Sequence, residues 1–137
     1  MILLDTNVVS EARHPNGSPR VKAALREGQN DIWLSVIVLG EILYGIRRLS
    51  DGPQKRTLEA YYAELRGAYG DRVLGVTIEI GEAWGNARAV RSRAGRPLAT
   101  TDGLIAATAL VHDLTLWTRN TGDFADLGVE LFNPWED

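Results

Sequence analysis

Apolar positions in this chain follow two rhythms, short unbroken runs and longer stretches spaced every third or fourth residue. Residues 2–4 form the first run and read as a buried strand that stops at the polar turn Asp5-Thr-Asn. Val8, Val9 and Ala12 then fall on one face of a helix, which the cluster His14-Pro-Asn-Gly-Ser-Pro ends. A second helix opens at Ser18 with Pro19 in its first turn, turns Val21, Ala24 and Leu25 inward and closes at Gly28. Residues 32–35 read as strand, and Ser35 can cap a long helix over 36–49. Asp51-Gly-Pro breaks that helix; Leu58, Tyr61, Tyr62 and Leu65 restore the spacing over 54–69, so the pair predicts a helical hairpin. Residues 72–76 are a short β segment, and Thr77 caps a helix that buries Ile80, Ala83, Trp84 and Ala87 and ends at Gly95-Arg-Pro. A further helix covers 102–112, a strand 114–118, and a last strand 129–132 before Asn133-Pro-Trp. Short apolar strands alternating with helices predict an α/β sandwich on a mostly parallel sheet, with no internal repeat or linker.

Composition narrows what such a sandwich can do. The 137 residues suit one domain, spanning 1–137, and 45% hydrophobic with 24% charged residues is ordinary globular composition. Met1 stands too close to Asp5 for a leader, and no apolar stretch approaches the ~20 residues of a membrane span, so a cytoplasmic protein with no membrane partner is expected. The absence of cysteine excludes disulfides, thiolate zinc sites and cysteine nucleophiles, and two histidines leave little for a histidine-rich metal site. A net charge of −3 argues against coating nucleic acid through bulk charge but permits a local basic stripe.

Three carboxylates stand out. Asp5 follows the first strand, where a helix cap is the ordinary role, yet the carboxyl ends of parallel strands are also where ligands collect. Glu41 lies among Ile37, Val38, Tyr44 and Gly45, with only Arg48 at the far edge of its helical face. Gly45, one turn on, gives up helix propensity for the close approach of something. Asp102 opens an alanine-rich helix whose Ala106, Ala107 and Ala109 allow close packing on the sheet, which would carry its carboxylate toward Asp5. Acids sharing a pocket raise one another's pKa unless a cation joins them. Mg²⁺ or Mn²⁺, with oxygen ligands and retained waters, meets that need.

M-I-L-L-D-T-N-V-V-S-E, V-L-G-E-I-L-Y-G-I, T-T-D-G-L-I-A-A-T-A and T-R-N-T-G-D-F before N-P-W-E-D, four motifs in order over essentially the whole chain, resemble PIN-domain ribonucleases. More narrowly, the chain resembles the VapC-type toxins of type II toxin–antitoxin pairs, nearest the FitB-like branch. The resemblance implies a PIN-like three-layer α/β/α sandwich with four to five strands. It also implies a Mg²⁺- or Mn²⁺-dependent endoribonuclease in which Asp5 and Asp102 are the principal ligands and Glu41 binds directly or through water. Thr6, Asn7 and Thr118 match supporting polar positions. Asn120 is expected at the site as a neutral oxygen ligand or water anchor, and Asp123 as the fourth carboxylate. The implied partners are an RNA substrate, a second copy of the chain in a homodimer, and a VapB-like antitoxin, of ribbon-helix-helix form in the FitB-like branch, through which alone DNA would be contacted.

Arg88, Arg91, Arg93 and Arg96 crowd one helix end, with Arg47, Arg48, Lys55 and Arg56 near the hairpin; a solvated face and phosphate binding fit the first group equally well. Trp33, Trp84, Trp117 and Trp135 suit the core better than base stacking. Two other readings compete. An inactive PIN-like RNA-binding or assembly module would keep the fold without the chemistry. An Asp-based phosphatase or phosphoacceptor needs a second Asp close behind the first or a late Lys, whereas Thr6-Asn7-Val8 follows Asp5 and the only lysines are Lys22 and Lys55.

Overall fold

The computed structural model describes residues 1–136. Strands β1 (Ile2–Leu4), β2 (Ile32–Ser35), β3 (Val73–Leu74), β4 (Thr115–Trp117) and β5 (Leu131–Phe132) form one sheet in the order β3-β2-β1-β4-β5. Every neighbouring pair is parallel, with Leu3 level with Trp33 on one side and Leu116 on the other. Parallel neighbours need crossovers. From β1 to β4 these come from α1 (Thr6–Arg13), α2 (Pro19–Glu27), α3 (Val36–Arg47), α4 (Pro53–Ala68), α5 (Ile78–Arg93) and α6 (Thr100–His112), whereas β4 reaches β5 through a loop that holds one 3₁₀ turn, Thr121–Asp123. Helices flank the sheet to give the three-layer sandwich that the resemblance implied. Among the described residues no helix is long and apolar enough to cross a membrane.

A parallel sheet covered on both faces needs strands that are apolar in unbroken runs rather than alternation. Leu3 and Leu4 in β1, and Leu116 and Trp117 in β4, are all buried although successive residues point to opposite faces. The same core takes in Val8 and Val9 of α1, Val38 and Leu39 of α3, and Ile105, Ala106 and Ala109 of α6. Trp117 is thus a core residue, as expected, with Trp33 and Trp135 packed at its edge.

The edges depart from the expected spans. The segment 72–76 pairs only at Val73–Leu74, and 129–132 only at Leu131–Phe132. Each is an outer strand with one neighbour, so pairing lasts only while that neighbour lies alongside. The helix expected from 102 begins at Thr100 after Ala99, whose side chain makes no capping bond, so no polar cap marked its start. The helix expected to reach 49 ends at Arg47.

Strand order determines where a ligand can enter. The chain moves outward from β1 through β2 to β3, then crosses back to lay β4 against the free side of β1. Crossovers on either side of that reversal lead away from each other, opening a crevice at the carboxyl ends of β1 and β4.

Close packing of α5 on α6 sets one wall of the crevice. At Gly103, beside Asp102, an added Cβ would lie 2.7 Å from Cδ1 of Trp84 and 3.0 Å from Cδ2 of Leu98. Only glycine lets the helices meet this closely. Gly103→Val should lower stability by about 1–3 kcal/mol, the usual cost of overpacking a full site; urea denaturation measures this, and an unchanged midpoint would contradict the packing described.

Candidate active site

Three adjacent strands lead into buried polar residues at the same end of the sheet. Ser35 closes β2, Asp5 follows β1 and Thr118 follows β4, with relative exposures of 0%, 6% and 0%. Ser35 caps α3 by accepting the Ile37 N–H at 3.0 Å. Asp5 extends the ladder, its N–H donating to the Trp117 carbonyl at 2.9 Å. Its carboxylate is fixed from two sides: Oδ1 accepts the Thr6 N–H at 2.8 Å, and Oδ2 accepts the Thr118 hydroxyl at 2.8 Å. Asn7 Nδ2 adds a longer contact to Oδ2 at 3.4 Å. Asp5 is also the N-cap residue of α1. The capping role is compatible with its place at the carboxyl end of β1, where ligands of parallel sheets collect.

The other acids come from elements that meet at this end. Glu41, on α3, accepts the Thr6 hydroxyl at 2.6 Å, so one threonine links two acids by its backbone and its side chain. Asp102 stands in the first turn of α6, where the partial positive charge of the helix end favours an anion. Asp123 lies in the short 3₁₀ turn Thr121–Asp123 after β4. Asn120, which precedes that turn, is exposed and donates its N–H to the Thr118 hydroxyl oxygen at 3.1 Å.

Electrostatics ties the four acids together across 118 positions of sequence, from Asp5 to Asp123. Burial pushes the Asp5 carboxyl above its ordinary value against the Thr118 and Thr6 hydrogen bonds, and the charges of Glu41 and Asp123 push it further. Asp102 is raised by burial and then by Asp5, Asp123 and Glu41, with only Arg91 opposing. Among the described residues no three acidic or histidine side chains already form a metal-coordinating cluster. Each of Asp5 and Asp102 feels the charges of neighbouring acids as a shared field. Every donor they offer is oxygen, the set that suits Mg²⁺ or Mn²⁺ rather than zinc or copper.

The basic residues divide. Arg91 is 4% exposed, correcting its expected place on a phosphate-facing surface. Its Nε donates to Asp126 Oδ1 at 2.8 Å and its Nη2 to the Asp123 carbonyl at 2.6 Å, which ties α5 to the turn bearing the fourth acid. Arg96 also pairs with Asp126, at 3.0 Å. Arg88 lies over the Trp84 ring at 5.6 Å, and Arg93 is exposed. Desolvation alone would raise Asp126, but the Arg91 hydrogen bond and the charges of Arg91 and Arg96 bring its carboxyl below the ordinary value. A lowered carboxyl stabilises the fold above its unfolded-state pKa, and that contribution fades as pH falls through the folded value. Sequence gave no sign of this lock, since its partners stand 32 and 35 residues apart.

The chain matches the PIN domain family over residues 2–130, and it belongs to that family. It is 37% identical over 139 aligned residues to Toxin FitB of Neisseria gonorrhoeae, with all of both chains covered. It is 30% identical to VapC ribonuclease Y4jK of Sinorhizobium fredii over 99% of each. The crystal structure of FitAcB from Neisseria gonorrhoeae superposes with a TM-score of 0.93 at 36% identity, again covering both chains in full.

The raised carboxyls carry a stability cost with a definite sign. When a folded-state pKa lies above the unfolded one, the folded chain binds the proton more tightly, so the contribution is favourable in acid and is lost as pH rises through the folded value. In EDTA, Asp102→Asn should therefore raise the unfolding temperature by a few degrees at pH 7 and by less at pH 4. Thermal melts at the two pH values test this, and a variant less stable than wild type at pH 7 would contradict it.

Proposed function

We propose that this chain is a divalent-metal-dependent endoribonuclease, the toxin of a type II toxin–antitoxin pair. The observation that carries the reading is the Asp5 carboxylate, buried at the β1–β4 reversal, hydrogen-bonded from two sides and in the field of Glu41 and Asp123. Support for RNA as the substrate comes from the similarity to VapC ribonuclease Y4jK, and for the toxin role from the similarity to Toxin FitB.

Asp5 and Asp102 would hold Mg²⁺ or Mn²⁺ most directly, with Glu41 and Asp123 acting directly or through the ion's waters; Mg²⁺ commonly keeps several waters beside one or two carboxylates. When bound, the ion lowers the pKa of a coordinated water and neutralises charge developing on the phosphate. The chain's own work is orientation. Thr118 and the Thr6 N–H leave Asp5 no rotamer freedom, so the acid need not be ordered at the moment of binding. The Thr6 hydroxyl occupies Oε1 of Glu41 and directs Oε2 elsewhere. Arg91 holds the Asp123 turn in place from behind. Asn120, neutral, would anchor water or supply a carbonyl oxygen. The partners on this reading are a VapB-like antitoxin, a second copy of the chain and, through the antitoxin alone, operator DNA, in the cytoplasm.

Asp5→Asn tests the reading directly, because asparagine caps helices as well as aspartate does. Cleavage of total cellular RNA with Mn²⁺ should fall to the level seen in EDTA while the melt stays cooperative; wild-type cleavage by the folded variant would overturn the assignment. An RNA-binding module would instead hold RNA intact whether or not metal is present. Asn120→Asp adds a carboxylate at the crevice and should tighten Mn²⁺ binding by about tenfold or less, the scale of one ~1.4 kcal/mol interaction. Calorimetry giving equal or weaker binding would remove residue 120 from the metal's surroundings.

A further inference from the structure

A second hollow opens beside the acids and has no part in the chemistry above. It encloses about 330 Å³ between α1, α3 and α4, and Thr6 and Glu41 line it as well as the acid cluster. The hollow and the acid cluster share these two residues. Ser10 and Arg13 from α1, Gly45 and Arg48 from α3 and its cap, and Tyr61 from α4 supply the walls that matter.

Gly45 is the first pointer. It lies within α3, and a Cβ built there meets nothing within 4 Å, so no neighbour in the chain requires a glycine. Helix propensity is lowered without relieving any internal clash. What the missing side chain preserves is the hollow itself.

Charge is the second. Arg13 and Arg48 are exposed and form no ion pair among the described residues, and the Arg13 guanidinium lies 5.7 Å from the centre of the Tyr61 ring. Two guanidinium groups face the single Glu41 carboxylate in the lining, so the end of the hollow away from the acidic crevice is the end that can take an anion. They would repel a basic peptide. The volume sits at the low end of the ~300–1,000 Å³ range of small-ligand sites, which suits one nucleotide unit rather than a helix or strand.

We infer that this hollow is a nucleotide subsite, which rests on the ribonuclease reading and deepens it. The nucleotide adjoining the scissile phosphate places its ribose and base against Gly45 and Tyr61, and its outer phosphate meets Arg13 and Arg48. Base stacking on an aromatic or guanidinium plane tolerates any base, while the arginines recognise the backbone. The acids act on one linkage because its neighbour is held.

Gly45→Leu fills the hollow without an internal clash, so its unfolding temperature should hold or rise. Gly67→Leu, at an exposed α4 glycine that is equally free of neighbours and outside the hollow, is the control. Cleavage of a short end-labelled single-stranded RNA with Mn²⁺ is followed across a salt series. Gly45→Leu should raise KM about tenfold, with the loss on KM rather than kcat. Arg13→Gln and Arg48→Gln should each reduce the slope of log(kcat/KM) against log salt by about 0.7, the value for one lost single-strand phosphate contact. Gly67→Leu should match wild type. Wild-type KM and salt slope in all three hollow variants would overturn the subsite, as would variants with unchanged RNA kinetics that escape inhibition by the antitoxin, which would assign the hollow to that partner. A wild-type chain that cuts no RNA with Mn²⁺ or Mg²⁺ would instead fail the ribonuclease reading, and the subsite with it.

Discussion

The Thr118 hydroxyl donating to Asp5 across the seam between β1 and β4 is the contact on which this site depends. Thr118 and Asp5 follow strands that are neighbours in the sheet but more than a hundred residues apart in the chain. The bond forms only if the chain returns from β3 to pair β4 with β1. It therefore couples the topology of the whole sheet to the orientation of one carboxylate. Because both groups are buried, losing either partner would leave the other unsatisfied away from water, which costs more than the bond itself contributes.

Around that contact the molecule places charge where the chain alone disfavours it. Asp5 and Asp102 are raised by burial and by their acidic neighbours, whereas Asp126, a short distance along the chain from Asp123, is lowered by two arginines. The two groups of acids divide the labour. Asp126 is paired within the protein by Arg91 and Arg96 and secures the turn, while burial and mutual repulsion raise Asp5 and Asp102. Opposite shifts in one small region separate the acids that repel one another in the crevice from the one the scaffold pairs with arginine.

Much of the fold was legible because each central element satisfies its own local rule. Apolar runs at 2–4 and 32–35 gave β1 and β2, and Ser18, Ser35 and Thr77 cap the helices that the spacing predicted. The outer strands were read too long, since pairing there depends on how far a single neighbour extends. The start of α6 was missed because Ala99 offers no capping group. At the site, Asp5, Glu41 and Asp102 were visible as acids in apolar settings, and of the two readings weighed for Asp5 the helix cap is seen in the structure. Arg91 was misread: within a run of arginines nothing in sequence separates the one that turns inward to Asp126 from those left at the surface. The hollow at Gly45 was half visible, as a glycine with no local justification, but Arg13 and Tyr61 reach it only through the packing of α1 and α4.

Asp5 and Asp102 come from separate elements, and the proposed chemistry requires them to act together on one ion. A double-mutant cycle on Mn²⁺ affinity, measured by calorimetry for wild type, Asp5→Asn, Asp102→Asn and the double variant, tests this most directly. Acids that share an ion should be coupled, the double variant losing less than the sum of the two single losses by about 0.5–3 kcal/mol, the range for groups in one network. Strictly additive losses, or Mn²⁺ binding unaffected by either substitution, would contradict it.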